Sequence, residues 1–352
     1  MLTALAFLQT GPDALACVEG QLHPVAYPTA GSPAFLAPDF SLSIEHPWWF
    51  VPGGAPLRTL TRTEWSEQFP PVAGSRVRPA WQSADEARFA RGFRALQGYL
   101  ASGQLRKGVP VSVITADVGG EEAARVFRQA LACVPALPAS LMAYGFYQPP
   151  QGDRGLEFLI GATPELLFEL DEPTRLLTMA VAGTRPTAAG PAGLEASPKE
   201  RDEHQSVVED LLAQLGEWGQ PVASTTEVRS FGRLQHLVAE IRLDAACALD
   251  FETVARKLHP TPALGVYPRT PVGARWLEGI DPRRERGRFG APFGLRLPSG
   301  GGRCLVAIRN LQYRDGRLEI WAGCGVVPQS RYEDEWEEIL HKVETVRALW
   351  EV

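Results

Sequence analysis

What the chain lacks narrows its function before any motif is read. It has no surplus of positive charge: 35 Lys and Arg stand against 41 Asp and Glu, a formal net charge of −6, and the basic residues are scattered. Proteins that bind a phosphate backbone concentrate cations on one face, so nucleic acid is not an expected partner. No apolar run approaches the roughly 20 residues of a membrane span, and the mildly apolar start, MLTALAFLQTGPDALA, contains no basic segment. A soluble cytoplasmic protein is expected. The five cysteines, Cys17, Cys133, Cys247, Cys304 and Cys324, are odd in number and far apart, with no CxxC or other metal-ligand spacing. They read as reduced, mostly buried thiols. Internal repeats and low-complexity tracts are also missing.

What is present is ordinary globular composition, 45% hydrophobic and 22% charged over 352 residues, enough for one large domain or two. Residues 1–80 are rich in Pro and Gly with short apolar runs (PAFLAP, HPWWFVPGG), which predicts strands and turns within the same fold rather than long helices. From Ser83 the texture changes. SADEARFARGFRALQGYLASG opens with a Ser-x-x-Glu capping box, puts Phe89, Phe93, Leu96 and Leu100 on one helical face, and closes at Gly103. Strands are predicted at GVPVSVITA, LEFLIGA, ELLFEL, RLLTMAVAG, CLVAIRNLQY and RLEIWAGCGVV, the last two forming a hairpin about RDG. Further helices are predicted at 198–216, about 250–257 and 331–350. Residues 81–352 are read as one catalytic unit.

Two segments carry unusual acidity. YEDEWEEILHK packs five carboxylates into eleven residues. Ser330 and Glu333 read as a capping box, while Glu335, Glu338 and Lys342 share a face and Trp336, Ile339 and Leu340 supply an apolar side. SPKERDEHQSVVEDLLAQL opens a second helix, with Ser197 as N-cap, Pro198 at its first position, and Glu200 and Glu203 three apart on one face. A solvated face paired to Lys342 explains the first segment alone. Two helices offering Glu-x-x-Glu also suit a hard cation such as Mg2+, which takes one or two protein carboxylates and leaves other positions to water and substrate. Glu203 and Glu338 are the first-choice ligands, with Glu200, itself explicable as a capping-box glutamate, and Glu335 beside them. His204 reads as a substrate contact or a packed histidine.

Several stretches together resemble the chorismate-utilising enzymes, the family of isochorismate, salicylate, anthranilate and aminodeoxychorismate synthases. GATPELLFEL, AGTRP, SPKERDEHQSVVEDL, LQHLVAEI, LHPTPALG, FGAPFG, VAIRN, AGCGVV and EDEWEEILHK occur in the family's order. The resemblance implies an α+β fold with large antiparallel sheets in a sandwich flanked by helices, and a central cleft binding chorismate. It places Mg2+ on Glu203 and Glu338 with Glu200 and Glu335, to hold the ring carboxylate. Arg309 matches the arginine that grips the enolpyruvyl carboxylate, a bidentate task suited to guanidinium. Lys342 matches a lysine near that carboxylate and the metal. Thr184, Gly183, His236, Ala263, Leu264, Phe289 and Gly323 match pocket positions.

Within the family, the residues at the acid and base positions select the reaction. Converting chorismate to isochorismate needs water to attack ring C2 while the C4 hydroxyl leaves, hence a base and an acid. The resemblance assigns these to Lys107, where ammonia-using relatives typically carry glutamine, and to Glu165 of GATPELL. Lysine as a base near neutral pH requires desolvation, and Leu105, Val109 and Val111 allow it. Ala182 stands where aminodeoxychorismate synthases often carry a nucleophilic lysine, and no LLES element of the anthranilate synthases is found. Gly108 and Pro110 depart from the aliphatic run usual after the base lysine, and Phe289 stands where salicylate synthases can have tyrosine. The expectation is an isochorismate synthase, an isomerase that feeds menaquinone or siderophore synthesis. Salicylate synthase, or a chorismate-binding protein without turnover, stands as the alternative. A monomer without a glutamine amidotransferase partner is expected.

Overall fold

Alternation along the first strand reveals the layers. In Ala4–Gly11, Ala4, Ala6 and Leu8 join a core shared with Tyr144, Phe146, Phe293, Leu295 and Leu305, while Leu5 and Phe7 join a second core where helices pack on the sheet. A strand with both faces apolar is buried on both faces. The computed structural model describes residues 3–29, 31–43, 48–50, 56–72, 74–187, 190, 192–232 and 234–352. In it, two antiparallel sheets pack face to face with helices outside each, an α+β sandwich. One sheet runs in the order Arg58–Leu60, Ala14–Gly20, Ala4–Gly11, Met142–Gln148, Glu157–Thr163, Asn310–Arg314, Arg317–Gly323, Val111–Asp117. The other centres on Leu234–Asp244, Arg175–Pro186, Leu166–Glu172, Gly302–Val306 and Pro292–Arg296. The first 80 residues supply strands to both. Among the described residues no helix is long and apolar enough to cross a membrane.

The Glu86–Ala101 helix buries Phe89, Phe93, Leu96 and Leu100 as its periodicity requires. Its cap is Asp85, which accepts from the Arg88 N–H, and not Ser83. The Pro198–Leu215 and Tyr332–Trp350 helices lie where expected, and Ser197 caps the former. The Ser330–Glu333 capping box is not formed: the helix starts after Arg331 without a side-chain cap, and Ser330 Oγ accepts from the Val327 N–H instead. Ile339 is fully buried, whereas Leu340 is 42% exposed and takes no part in docking. The Arg62–Gln68, Gly120–Cys133 and Pro271–Ile280 helices and the Met142–Gln148 strand were not legible in the pattern. All five cysteines are free; Cys17, Cys304 and Cys324 are buried and Cys247 is exposed.

One correction matters for the site. CLVAIRNLQY is not one strand: Gly302–Val306 belongs to one sheet and Asn310–Arg314 to the other, so Ala307, Ile308 and Arg309 form a crossover. A second crossover lies beside it, where Pro164 and Glu165 join Glu157–Thr163 to Leu166–Glu172. The two are tied together, Val306 N–H donating to Glu165 O at 3.1 Å and Ala162 N–H to Arg309 O at 3.3 Å. Arg309 has a φ of +53°, a left-handed conformation costly for a residue with a Cβ. Polar groups hold it: Tyr144 Oη donates to Ile308 O at 2.9 Å, and Asn310 Nδ2 donates to Tyr144 Oη at 3.1 Å and Ala307 O at 2.6 Å.

The Tyr144 phenol fits only because Gly161 has no side chain, since a Cβ there would overlap its ring. Gly161→Ala is therefore expected to lower stability by about 1–3 kcal/mol through overpacking. A urea midpoint indistinguishable from wild type would show that the ring has room to move.

Candidate active site

The two crossovers, the strand bulge at Gly183 and the two acidic helices meet around one internal cavity. The crossovers present Glu165 and Arg309 to it, the Arg175–Pro186 strand Thr184, the neighbouring strand His236, and the helices Glu203 and Lys342. Ala263, Leu264, Phe289 and Gly323 complete the set of predicted pocket residues on its wall. Ala182, Ile308 and Trp321 also line it, and sequence reading had not placed any of these three there as pocket residues. Lys107, Gly183, Glu200, Glu335 and Glu338 are not part of the wall and connect to it through neighbours.

Glycine conformations explain two of these connections. Gly183, with φ of +68°, is the register shift in the pairing of Arg175–Pro186 with Leu234–Asp244, which turns the Thr184 N–H toward Glu200 Oε2 at 3.2 Å. That hydrogen bond shows that Glu200 does not serve as a capping-box glutamate. At Gly325 a Cβ would collide with the Glu203 carboxylate and the Lys107 stem, so backbone closes over this pair. Lys107 sits in the two-residue strand Lys107–Gly108, paired with Val266–Tyr267. Its side chain is completely buried, with Nζ 3.1 Å from Glu203 Oε1.

Hydrogen bonds assign the state of His236. Nδ1 lies 3.1 Å from Gly183 O and 3.2 Å from Thr184 Oγ1, and Nε2 lies 2.9 Å from an Arg309 NH2. Arg309 can only donate, so Nε2 accepts and Nδ1–H donates: the ring is neutral. Burial, then Arg309 and Lys342, hold its pKa well below the usual value. Arg309 is also buried, which lowers its pKa to about 10 against the pull of Glu165. His204, by contrast, is a packed histidine, 2% exposed, with Nε2–H donating to Ala180 O at 3.3 Å. Burial lowers its pKa to about 4.

Glu165 is 3% exposed, and burial lifts its pKa to about 7 although Lys107, Lys342 and Arg309 all act to lower it. A carboxyl with that pKa is half protonated at neutral pH and can give up a proton to a substrate. Thr261, which was not foreseen, acts on it in the same direction as these cations.

The acidic helices bring together all four predicted carboxylates, each beside a lysine. Lys342 Nζ is 2.7 Å from Glu338 Oε1 and donates to Gly323 O at 2.8 Å. Burial disfavours its charge, but Glu338 and its neighbours hold the ammonium pKa above the usual value. Lys199, also unforeseen, lies 2.6 Å from Glu335 Oε1 and 3.5 Å from Glu200 Oε1. Burial, then Glu203, raises Glu200 to about 7; burial, then Glu338, raises Glu335. Burial also acts to raise Glu203, but Lys107, Lys199 and Lys342 outweigh it and hold this carboxylate below its usual pKa.

Among the described residues no three His, Cys, Asp or Glu side chains converge on one ligating point. A hard divalent cation still fits the donor set, because Mg2+ needs only one or two protein carboxylates. Glu335 is 1% exposed and its Oε2 has no hydrogen-bond partner among the described residues, an oxygen that a cation or its water could satisfy.

Comparison with known proteins places the chain in a family. Residues 55–348 match the family described as chorismate binding enzyme. The chain belongs to that family. This member is 34% identical over 206 residues to the salicylate biosynthesis isochorismate synthase of Pseudomonas aeruginosa, spanning 55% of this chain and 42% of that one. It is 30% identical over 199 residues to anthranilate synthase component 1 of Streptomyces coelicolor, spanning 53% and 38%. The chain thus aligns with less than half the length of either relative. The solved structure of MenF, the menaquinone-specific isochorismate synthase of Escherichia coli, has the same fold, with a TM-score of 0.77 at 19% identity over 99% of this chain and 89% of that one.

Because the folded Glu165 carboxyl has a pKa of about 7 against 4.5 when exposed, its contribution to stability is complete below pH 4.5 and is lost as pH rises through 7. The loss is on the order of 3 kcal/mol at most. In Glu165→Gln this term is absent, so the stability of wild type relative to the variant, from urea midpoints, should fall between pH 4.5 and 7 and then level off. A pH-independent difference would contradict the elevated pKa.

Proposed function

We propose that this member of the chorismate binding enzyme family is an isochorismate synthase. The observation that carries the reading is a pair of buried groups: Glu165 on the cavity wall, whose pKa is raised to about 7, and Lys107 behind the wall, paired with the wall residue Glu203 and acting on the Glu165 charge. Water as nucleophile needs a base, and a C4 hydroxyl leaves only if it is protonated. Lys107 takes a proton from water as the oxygen bonds to ring C2, a role that requires it first to give up the proton of its ion pair with Glu203. Both ring double bonds shift, C1=C2 to C1=C6 and C5=C6 to C4=C5, and the C4–O bond breaks as Glu165 delivers its proton to the departing hydroxyl. Atoms balance as an isomerisation, and proton exchange restores Lys107 and Glu165 for the next turnover.

Arg309 holds the enolpyruvyl carboxylate, with His236 fixing the guanidinium through its neutral Nε2. Desolvation strengthens that charge-assisted contact. Phe289, Leu264 and Ala263 provide apolar wall against the ring and keep bulk water from competing. Glu203 and Glu338, with Glu200 and Glu335, are the residues that hold Mg2+. Bound there, the ion supplies positive charge to the ring carboxylate of chorismate. Lys342 adds a second cation beside it, anchored on Gly323 O.

The purified protein with chorismate and Mg2+, with and without ammonium, is expected to form isochorismate by chromatography, independently of ammonium. Salicylate with equimolar pyruvate would reassign it to salicylate synthase, anthranilate formed with ammonium would move it to the ammonia-using branch, and chorismate binding without product would leave a binding protein. Lys107→Ala should cut kcat by at least about 100-fold, the scale of a lost general base, while chorismate binding, followed by calorimetry, stays within a few-fold. Unchanged kcat would exclude Lys107 as the base.

A further inference from the structure

The four glutamates of the cluster are compensated by three lysines, and the three are not equivalent. Lys107 is sealed in by the Gly325 backbone, and Lys342 has a second anchor on Gly323 O. Lys199 is held by Glu335 and Glu200 alone among the described residues, and its side chain is 21% exposed where that of Glu335 is 1%. It also sits in the first turn of the Pro198–Leu215 helix, against the positive end of the dipole, where a cation costs roughly 0.3–1 kcal/mol. A lysine kept in an unfavourable place next to a buried carboxylate is there for its charge.

We propose that Lys199 is a tethered counter-cation, which neutralises Glu335 and Glu200 while the metal is absent and yields its place to Mg2+, so that it sets the affinity of the site for the metal. The inference rests on the Mg2+ reading of the glutamate cluster made above. Three buried carboxylates and the half-buried Glu338 would repel one another with only two cations among them, and Mg2+ with all three ammonium groups would exceed the four carboxylate charges. Lys199 is the lysine free to leave, because its flexible four-carbon stem already reaches solvent. The device would let the two helices pack correctly before the ion arrives.

The test is calorimetric and needs no turnover. MgCl2 is titrated into wild type, Lys199→Met, Lys199→Gln and Lys199→Arg in the presence and absence of chorismate, and Tm is scanned with and without the ion. The neutral variants are expected to show a lower Tm without metal, a Kd for Mg2+ at least tenfold smaller than wild type, and a larger rise in Tm on adding Mg2+; Lys199→Arg should stay near wild type. A neutral variant that folds only with Mg2+ supports the proposal in the same way. If wild type binds Mg2+ and the neutral variants bind it equally or more weakly, the role of Lys199 is overturned while the metal site stands. Wild type that binds no Mg2+ even with chorismate overturns the metal reading, and this inference with it.

Discussion

The site depends on one constraint: carboxylates buried close together cannot all stay ionised without cations among them. Glu200, Glu203 and Glu335 are buried, and the half-buried Glu338 completes the cluster. The structure meets the constraint with lysines from three separate segments, Lys107, Lys199 and Lys342, each within ion-pair distance of at least one of the glutamates. Much of the local architecture follows. The bulge at Gly183 turns a backbone N–H onto Glu200, and Gly325 lets the chain close over the Lys107–Glu203 pair. The two helices are thereby tied to each other by charge, while Ile339 and Val207 anchor them in separate cores.

The sandwich contributes what the helices cannot, which is rigidity at the points where the chain leaves one sheet for the other. Glu165 and Arg309 both lie at such crossovers, Glu165 O accepting from Val306 N–H and Arg309 O from Ala162 N–H. Side chains on a regular strand alternate between faces; a crossover breaks the alternation and aims a polar group between the sheets. The left-handed backbone of Arg309 is the cost, sustained by the Tyr144–Asn310 network. A group placed this way is desolvated by the sheets themselves, which is why Glu165 is shifted to about 7 and His236 is kept neutral.

Local signals carried the Glu86–Ala101, Pro198–Leu215, Phe251–Leu258 and Tyr332–Trp350 helices and some of the strands, because amphipathic periodicity and caps are short-range. The apolar face of Glu86–Ala101 and the cap at Ser197 are examples. The same reasoning failed where a longer-range partner won. Ser330 could have capped its helix but accepts from Val327 N–H instead, and Glu200 could have closed a capping box but turns to Thr184. Tyr144 and Asn310 gave no hint of their role, since it arises only when the strand Met142–Gln148 lies beside the crossover. Lys199 did carry a signal, a cation in the first turn of a helix, although its meaning needed the second helix.

The amino-acid sequence by itself determined membership in the chorismate binding enzyme family and the α+β composition, since residue type and order along the chain are written there directly. Only the tertiary structure decided which lysine meets which glutamate, that Lys107 is sealed from solvent while Lys199 is not, and that CLVAIRNLQY breaks in two to deliver Arg309. Those are questions of desolvation and of contact between segments far apart in the chain, and burial, which sets both charge state and partner choice, exists only after the sheets have closed.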